Sequence, residues 1–558
     1  MNITNKYIAK LLMQMSALME VANQNPFAIR SYENAASAIR NSQVQLSTLQ
    51  ATELAEMRGI GKSMVGHITE ILETGSFTNF ENLKALVPIS LLELSKIKGL
   101  TGKRIQALRS ELQIESIEQF QAKLLAGEIA TVKGFGVKTS QQLSTALNFY
   151  KENLGYIRID QGQILASQIV NILQAEFKNI DVIPVGAIAR KDATLNKLEF
   201  LISNSELNIL ESICSCLESI LDQAENGEFY HAEYEILVKF HTCTKSNKGT
   251  SLVQLISTQA HLELLGELPQ QLTDDRQLYK VLNRPFIIPE MRLGTYEFER
   301  MLEIGNDDAN IITNQDLLGC LHNHSTYSDG LDSLPSMAQA CIDRNLQYFG
   351  ISDHSKTAAY AGGLKPEKIY EQWEQIAELN RQYQGSFHIL AGIESDILAN
   401  GSLDYDDDIL AGFDFIVASV HSKLDMSEAE ATKRLLKAIE NPYTTMMGHI
   451  STRLLLQRPG FPFQVETILD ACAANGVMIE INADPERLDI DSSLLYKVLE
   501  RGIMLSINPD AHSTKSIDKM HWGVSMAMRA GVTVENVLNA QPYQVVKDTL
   551  KKKNPAKR

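Results

Sequence analysis

The chain is short of what would tie it to a membrane or an oxidising compartment. Its 558 residues include six cysteines, Cys214, Cys216, Cys243, Cys320, Cys341 and Cys472, none in CxxC spacing. That excludes a zinc ribbon and a disulfide framework and leaves the thiols as packing residues. No apolar run approaches the roughly 18 to 20 residues of a bilayer span. The first stretch, MNITNKYIAKLLMQMSALME, reads as an amphipathic helix with no cleavable apolar core. A cytoplasmic protein without membrane attachment is expected. Basic charge is scarce too: 52 Lys and Arg stand against 68 Asp and Glu, a formal net charge of -16. Coating nucleic acid by bulk electrostatics is excluded, because phosphate neutralisation needs clustered cations. Any nucleic-acid contact must be local, and part of the acidity is available to metal ions.

What is present begins with length. At 558 residues, 44% hydrophobic and 22% charged, the chain has the composition of a soluble globular protein, and its length suggests about three or four domains of roughly 150 residues. The stretch LHNHSTYSDG, Leu321 to Gly330, ends a short apolar run with two histidines one residue apart. In a strand, residues i and i+2 share a face, so His322 and His324 project together while Asp329 returns from the loop. A lone His-x-His is as readily a solvated strand end.

The runs that follow break the tie. GCLHNH, YFGISDH, FHILAGIESD, FDFIVASVH, TTMMGHI, GVMIEINAD and IMLSINPDAH begin at residues 319, 348, 387, 413, 444, 476 and 503, with helical patterns between them. This is the form of repeated βα units and a mainly parallel sheet, in which function collects at the C-terminal strand ends. Those ends carry His322 and His324, Asp353 and His354, Glu394, His421, His449, and Asp510 with His512, six of the chain's 12 histidines. Gathered on one rim with Asp329, Glu394 and Asp510, they would repel or lie unpaired unless cations joined them. Six imidazoles and three carboxylates exceed what one ion accepts, so two or three divalent ions are implied. Nitrogen and oxygen donors without thiolate favour Zn, Mn or Fe.

The order HxH, D, DH, E, H, H, DxH resembles the polymerase and histidinol phosphatase (PHP) domain family over about residues 315 to 545, and EINADPERLD, Glu480 to Asp489, resembles that family's sixth-strand signature, with Asn482 and Arg487 in place. The resemblance implies a distorted seven-stranded βα barrel, a trinuclear site on the nine donors His322, His324, Asp329, His354, Glu394, His421, His449, Asp510 and His512, and phosphoester hydrolysis. Clustered ions acidify water and neutralise phosphate oxygens. Asp510, His512 and Arg487 are the candidate catalytic residues, with ligand and proton donor not separable among them.

Near the start, MRGIGKSMVGHITEIL (Met57 to Leu72) places a Gly-Ile-Gly turn between helical patterns, and IKGLTGKRIQAL (Ile97 to Leu108) and VKGFGVKTSQQL (Val132 to Leu143) repeat the scheme. Glycines let backbone amides approach an anion at a helix N-terminus, and repetition at about 35 to 40 residues strengthens the reading. The candidate DNA-binding residues are Gly59, Gly61, Lys62, Gly99, Gly102, Lys103, Gly134, Gly136 and Lys138. Such helix-hairpin-helix elements grip phosphate without reading bases, so DNA would be bound irrespective of sequence. With NPFAIRSYENAASAIRN (Asn25 to Asn41) they are similar to the N-terminal domain of family X DNA polymerases, and the whole chain resembles a bacterial family X polymerase fused to a PHP domain.

That resemblance implies a fingers, palm and thumb region over about residues 155 to 305. There VGAIARKDATLNKLEFLIS, Val185 to Ser203, has Gly186-Ala187 where a Gly-Ser turn is expected, retains Arg190, and puts Lys197 and Glu199 at the D-x-D positions. The third aspartate, expected on a neighbouring strand, falls in SLVQLIS at Gln254. Nucleotidyl transfer needs two ions about 3.5 to 4 Å apart in a carboxylate cage, which one Glu, one Lys and one Gln do not provide. A different register would draw carboxylates from EFYHAEYEILVKF (Glu228 to Phe240) or from Asp192. The Schiff-base lysine of the family's lyase activity falls at His67, and the thumb is shortened. The terminal KKKNPAKR reads as a disordered basic tail.

The expected organisation is a helix-hairpin-helix domain over 1–150, an inactive nucleotidyltransferase-like palm with a short thumb over 151–305, and a PHP phosphoesterase over 306–558. The expected function is a metal-dependent DNA phosphodiesterase of repair, a 3'-5' exonuclease or a processor of blocked and abasic ends. A working repair polymerase and a noncatalytic DNA-binding adaptor are the rival readings, and protein partners are left open.

Overall fold

The computed structural model describes residues 3, 5–40, 42, 44–57, 60–203, 209–218, 220–223, 228–232 and 234–557. The chain separates into one unit of residues 1–154 with 456–458 and a second of 155–455 with 459–558.

The first unit is helical. Its opening helix, Asn5–Val21, buries Ile8, Leu12, Met15 and Met19, a stripe at steps of three and four that matches the helical period. The helices after the three candidate hairpins are Lys62–Thr74, Gly102–Leu112 and Val137–Glu152. Gly99 and Gly134 take φ of +94° and +92°, values that L side chains avoid and glycine adopts freely. Among the described residues no helix is long and apolar enough to cross a membrane.

Beside a two-stranded antiparallel pair, Ile157–Arg158 with Thr194–Leu195, the second unit carries two larger sheets. The smaller has five strands, β1 (Asp181–Val185), β2 (Lys197–Ser203), β3 (Asp222–Gln223), β4 (Phe229–His231) and β5 (Ile236–Cys243), in the order β1-β2-β5-β4-β3. Only the central β2-β5 pair is parallel. The larger has seven parallel strands in sequence order: β6 (Gly319–Cys320), β7 (Tyr348–Ile351), β8 (His388–Asp396), β9 (Phe415–Ser419), β10 (Met446–Met447), β11 (Met478–Asn482) and β12 (Leu505–Asn508). These are the seven runs read from the sequence. All seven are buried nearly throughout, as expected of parallel strands covered by helices. The first and last strands meet just past their ends, where Asn323 bridges Ala511 and the His324 amide donates to the Ala511 carbonyl at 2.8 Å. A nearly closed barrel results, its rim formed by the C-terminal strand ends.

The two sheets share one continuous apolar core running from Ile157 to Ala540. Across the seam Tyr296 stacks on Tyr496 at 4.1 Å, and Arg300 donates to the Gly531 carbonyl at 2.9 Å. The terminal segment is not a free tail. The helix Tyr543–Lys553 buries Val546 and Leu550, and the buried Asn554 amide donates to the carbonyls of Ala411 and Phe413 at 3.1 and 3.0 Å. These anchors, invisible in a run of lysines, order it.

Candidate metal centre

The barrel rim gathers all nine residues predicted from the strand ends. His322, His324, His449 and Glu394 are buried to 1% exposure or less. Three overlapping groups each bring donor atoms within 4.8 Å of one another: His324, Asp329, His354 and His512; His322, His324 and Asp510; His354, Glu394 and His421. Glu394 is the hub, with its Oε1 2.9 Å from His449 Nε2 and 3.1 Å from His421 Nε2, and its Oε2 2.9 Å from His354 Nδ1. His449 belongs to none of the three groups and reaches them through Glu394.

The charges oppose one another. Burial would raise the Glu394 carboxyl, but His421, His322 and His354 outweigh it and hold it well below the usual range. Asp510 behaves likewise under His322 and His324. Burial pushes the His324 imidazole down to about 3, assisted by His354 and His512. For His421, burial is overcome by Glu394 and Asp396 and the imidazole rises to about 10; for His512, burial is overcome by Asp329 and Asp510 and it rises to about 9. Among the described residues, His322 Nε2, His324 Nδ1, His354 Nδ1, Glu394 Oε2 and His449 Nδ1 are buried and make no hydrogen bond, His354 Nδ1 and Glu394 Oε2 approaching each other to 2.9 Å without the alignment of one. Buried polar atoms are rarely left unpaired. Lone pairs converging from imidazole and carboxylate, with no thiolate, fit divalent cations, and the donor set could hold more than one.

Residues behind the donors set their orientation, and these were not singled out from the sequence. Glu480 accepts from His322 Nδ1 at 2.6 Å, from the His449 amide at 2.8 Å and from Asn508 at 3.0 Å. Asp396 pairs with His421 Nδ1 at 2.7 Å. Carboxylates behind imidazoles fix the ring and leave the other nitrogen to ligate. The available signal was period-two spacing: Glu480 lies two residues before Asn482, and Asp396 two after Glu394. Asp353 is turned away from the cluster and accepts from Ser325, Ser328 and Gln372. Arg487 reaches the rim, its Nε 3.7 Å from Asp510 Oδ2.

A model of the helix-hairpin-helix domain matches residues 3–77, and a model of the PHP domain matches residues 321–484. The DNA polymerase/3'-5' exonuclease PolX of Bacillus subtilis is 30% identical over 572 aligned positions, covering 98% of this chain and 99% of that one. The chain belongs to the PolX family. Part of the chain is also similar to shorter proteins: a probable phosphatase of Thermoanaerobacter sp. strain X514 is 27% identical over 42% of the chain and 94% of its own length, and one from Vibrio parahaemolyticus 25% identical over 30% and 69%.

The positions expected to carry the polymerase carboxylates lie in and beside the five-stranded sheet. Lys197 and Glu199 lie on β2, with Lys197 Nζ 3.0 Å and His241 Nε2 3.1 Å from the Glu199 carboxylate. Burial would raise that carboxyl, but His241 and Lys197 hold it low. A Cβ at Gly186 would stand 2.8 Å from Glu199 Oε2, so the turn closes on the carboxylate. Gln254 is a correction. It lies exposed on the helix Lys248–Ile256, not on a strand. The residue opposite Glu199 on the adjacent parallel strand is Lys239, which pairs with Glu228 at 3.7 Å. Asp192 does not join this face; it is held by Arg190 and Arg529, each at 2.6 Å.

In the helical unit Gly61, Gly99, Gly134, Gly136, Lys103 and Lys138 are exposed. Gly59 and the Lys62 side chain lie outside the described residues. Gly102 departs from the expected role: a Cβ there would stand 1.9 Å from the Glu20 carbonyl oxygen, so its close approach is to the opening helix and not to an anion. His67 is packed between Tyr32 and Phe77, with the Tyr32 hydroxyl 3.2 Å away.

Proposed function

We propose that this PolX member is a metal-dependent DNA phosphodiesterase that removes nucleotides or blocking groups from 3' ends, with its palm retained as a scaffold. The observation that carries this reading is the convergence of nine imidazole and carboxylate donors on one barrel rim, five of their buried atoms making no hydrogen bond. Two or three ions of Mn, Zn or Fe type are the proposed cofactors, held by His322, His324, Asp329, His354, Glu394, His421, His449, Asp510 and His512. Such ions supply Lewis acidity toward water and phosphate oxygens.

The chain's own residues do the rest. Arg487 meets a nonbridging phosphate oxygen and balances its charge. Asp510, between Arg487 and His324, keeps both oriented. His512, with 38% of its side chain exposed, is the most open of the six imidazoles. It would hold its ion on the solvent side of the rim, where the leaving 3'-oxygen takes its proton from water as the phosphorus–oxygen bond breaks. Exposed glycine turns and Lys103 and Lys138 of the helical unit hold the DNA backbone without base readout. The proposed organisation is DNA binding through residue 150, palm and short thumb over 151–305, and hydrolysis over 306–558, in the cytoplasm on chromosomal DNA. With Lys197, Glu199 and Lys239 where a carboxylate cage would be needed, polymerase activity is not part of the proposal, nor is a lyase step with His67 at the lysine position.

A labelled primer on a longer template, incubated with Mn or Mg and with or without dNTPs, tests the reading. Native protein shortens the primer; His322→Ala and His449→Ala abolish shortening while DNA affinity is kept. Shortening that survives both substitutions overturns the site.

A further inference from the structure

Two rigid loops beside the metal-type donors each hold out one large apolar side chain. The loop after β7 is fixed at both ends: the Leu364 amide donates to the His354 carbonyl at 2.8 Å, and the Thr357 amide donates to Asp404 at 2.7 Å. A Cβ at Gly363 would stand 1.9 Å from the Ser355 carbonyl oxygen, so the turn is as tight as glycine allows. Ala358 and Ala361 are buried under it, yet Tyr360 between them is 74% exposed, its ring centroid 6.2 Å from that of His354. The loop after β6 is equally constrained. Gly330 packs on Ser325, and the Leu331 amide donates to the His512 carbonyl at 2.7 Å while its side chain is 78% exposed. The loops meet where Gly362 faces Ser328.

Single exposed apolar residues on a surface need no explanation. Here two of them flank the same donor group, Tyr360 beside His354 and Leu331 beside His512, on backbone that cannot fold them away. We infer that Tyr360, with Leu331, forms a nucleobase subsite that stacks the base of the nucleotide being removed. This rests on the phosphodiesterase reading above. A phosphodiester over the donors carries its base a few ångströms to one side, and an aromatic face accepts any base because every base has a π face. The subsite therefore selects an unstacked, unpaired terminal nucleotide without selecting sequence.

The test uses the full chain and two readouts. With metal chelated, an oligonucleotide carrying 2-aminopurine at its 3' end is titrated with protein; stacking on Tyr360 quenches the fluorescence, Tyr360→Ala loses the quench and Tyr360→Trp keeps it, with anisotropy reporting bound DNA throughout. With metal present, kcat/KM is compared for ends bearing thymidine and ends bearing a base-free tetrahydrofuran nucleotide. Native protein favours the base-bearing end by about tenfold, the scale of one stacking contact; Tyr360→Ala brings the ratio toward one and Tyr360→Phe retains it. An unchanged quench, or an unchanged ratio in Tyr360→Ala, overturns the subsite. Native protein that cleaves neither end but shows the Tyr360-dependent quench removes the phosphodiesterase reading and leaves the subsite standing.

Discussion

Arg529, at the end of a barrel helix, places its Nη1 2.6 Å from Asp192 Oδ1 on the palm, and also donates to the Arg190 carbonyl. Arg190 closes on the other Asp192 oxygen at 2.6 Å and donates to the Ile256 carbonyl at 2.6 Å. The arginine retained from the family's palm pattern is thus bound into the seam between the two sheets. Asp192→Ala leaves two guanidinium groups, 14% and 12% exposed, without their shared carboxylate. It should lower unfolding free energy by about 1–3 kcal/mol, read by urea titration. A change below about 0.5 kcal/mol would mean that the seam is held by apolar packing alone.

Glu480 makes no predicted contact with substrate, so its loss should act through the donors. Glu480→Gln weakens the bond that orients His322 and should lower metal affinity by about 10- to 100-fold, measured by titration calorimetry with Mn. Equal affinity for native and variant protein would assign Glu480 to packing.

Primer extension is the direct check on the palm. With Lys197 and Lys239 flanking Glu199 in register, no dNTP-dependent extension is expected with Mg or Mn in the native protein or in His322→Ala, where degradation cannot mask it. Extended product would require a carboxylate set elsewhere on the palm.

Glu297 gives the chain a pH signature away from the metal centre. It is buried and accepts from His261 Nδ1 at 2.6 Å and from the Gly294 and Thr295 amides at 2.6 and 2.7 Å. Burial would raise its carboxyl, but His261 and those amides outweigh it and hold it below 4.5. A depressed folded pKa contributes stability that is present above the unfolded value and is lost as pH falls through the folded one. Glu297→Gln should therefore cost about 1–3 kcal/mol near pH 7, with the gap to native closing as pH falls below 4.5. A gap constant between pH 7 and pH 3 would rule out the carboxylate as its source.

The barrel was legible because strand ends and metal-type donors coincide in a simple period. His322 and His324 share a face by alternation, and five of the six later runs carry a donor of the same cluster at or near their ends. Glu480 and Asp396 were harder, since a carboxylate inside an apolar run carries no mark of whether it ligates or supports. The palm misled at SLVQLIS because a short apolar run does not choose between helix and strand. Gly249, Val253 and Ile256 are buried at helical steps, and a Cβ at Gly249 would stand 2.4 Å from the Asp274 backbone; a packing partner 25 residues away decided the element. Gly102 followed the anion-binding pattern, yet its space is taken by the Glu20 carbonyl. Spacing reveals which residues can approach a backbone, while tertiary packing determines what occupies the approach.

The continuous core from Ile157 to Ala540 makes the palm and barrel thermodynamic reporters of each other. Two sheets that melt together respond to a ligand on either one, because anything that binds only the folded state raises stability by RT ln(1 + [L]/Kd). A nucleotide or DNA end seated on the palm would then announce itself as a higher melting temperature of barrel helices it never touches, and a metal filling the barrel rim would tighten the palm as well.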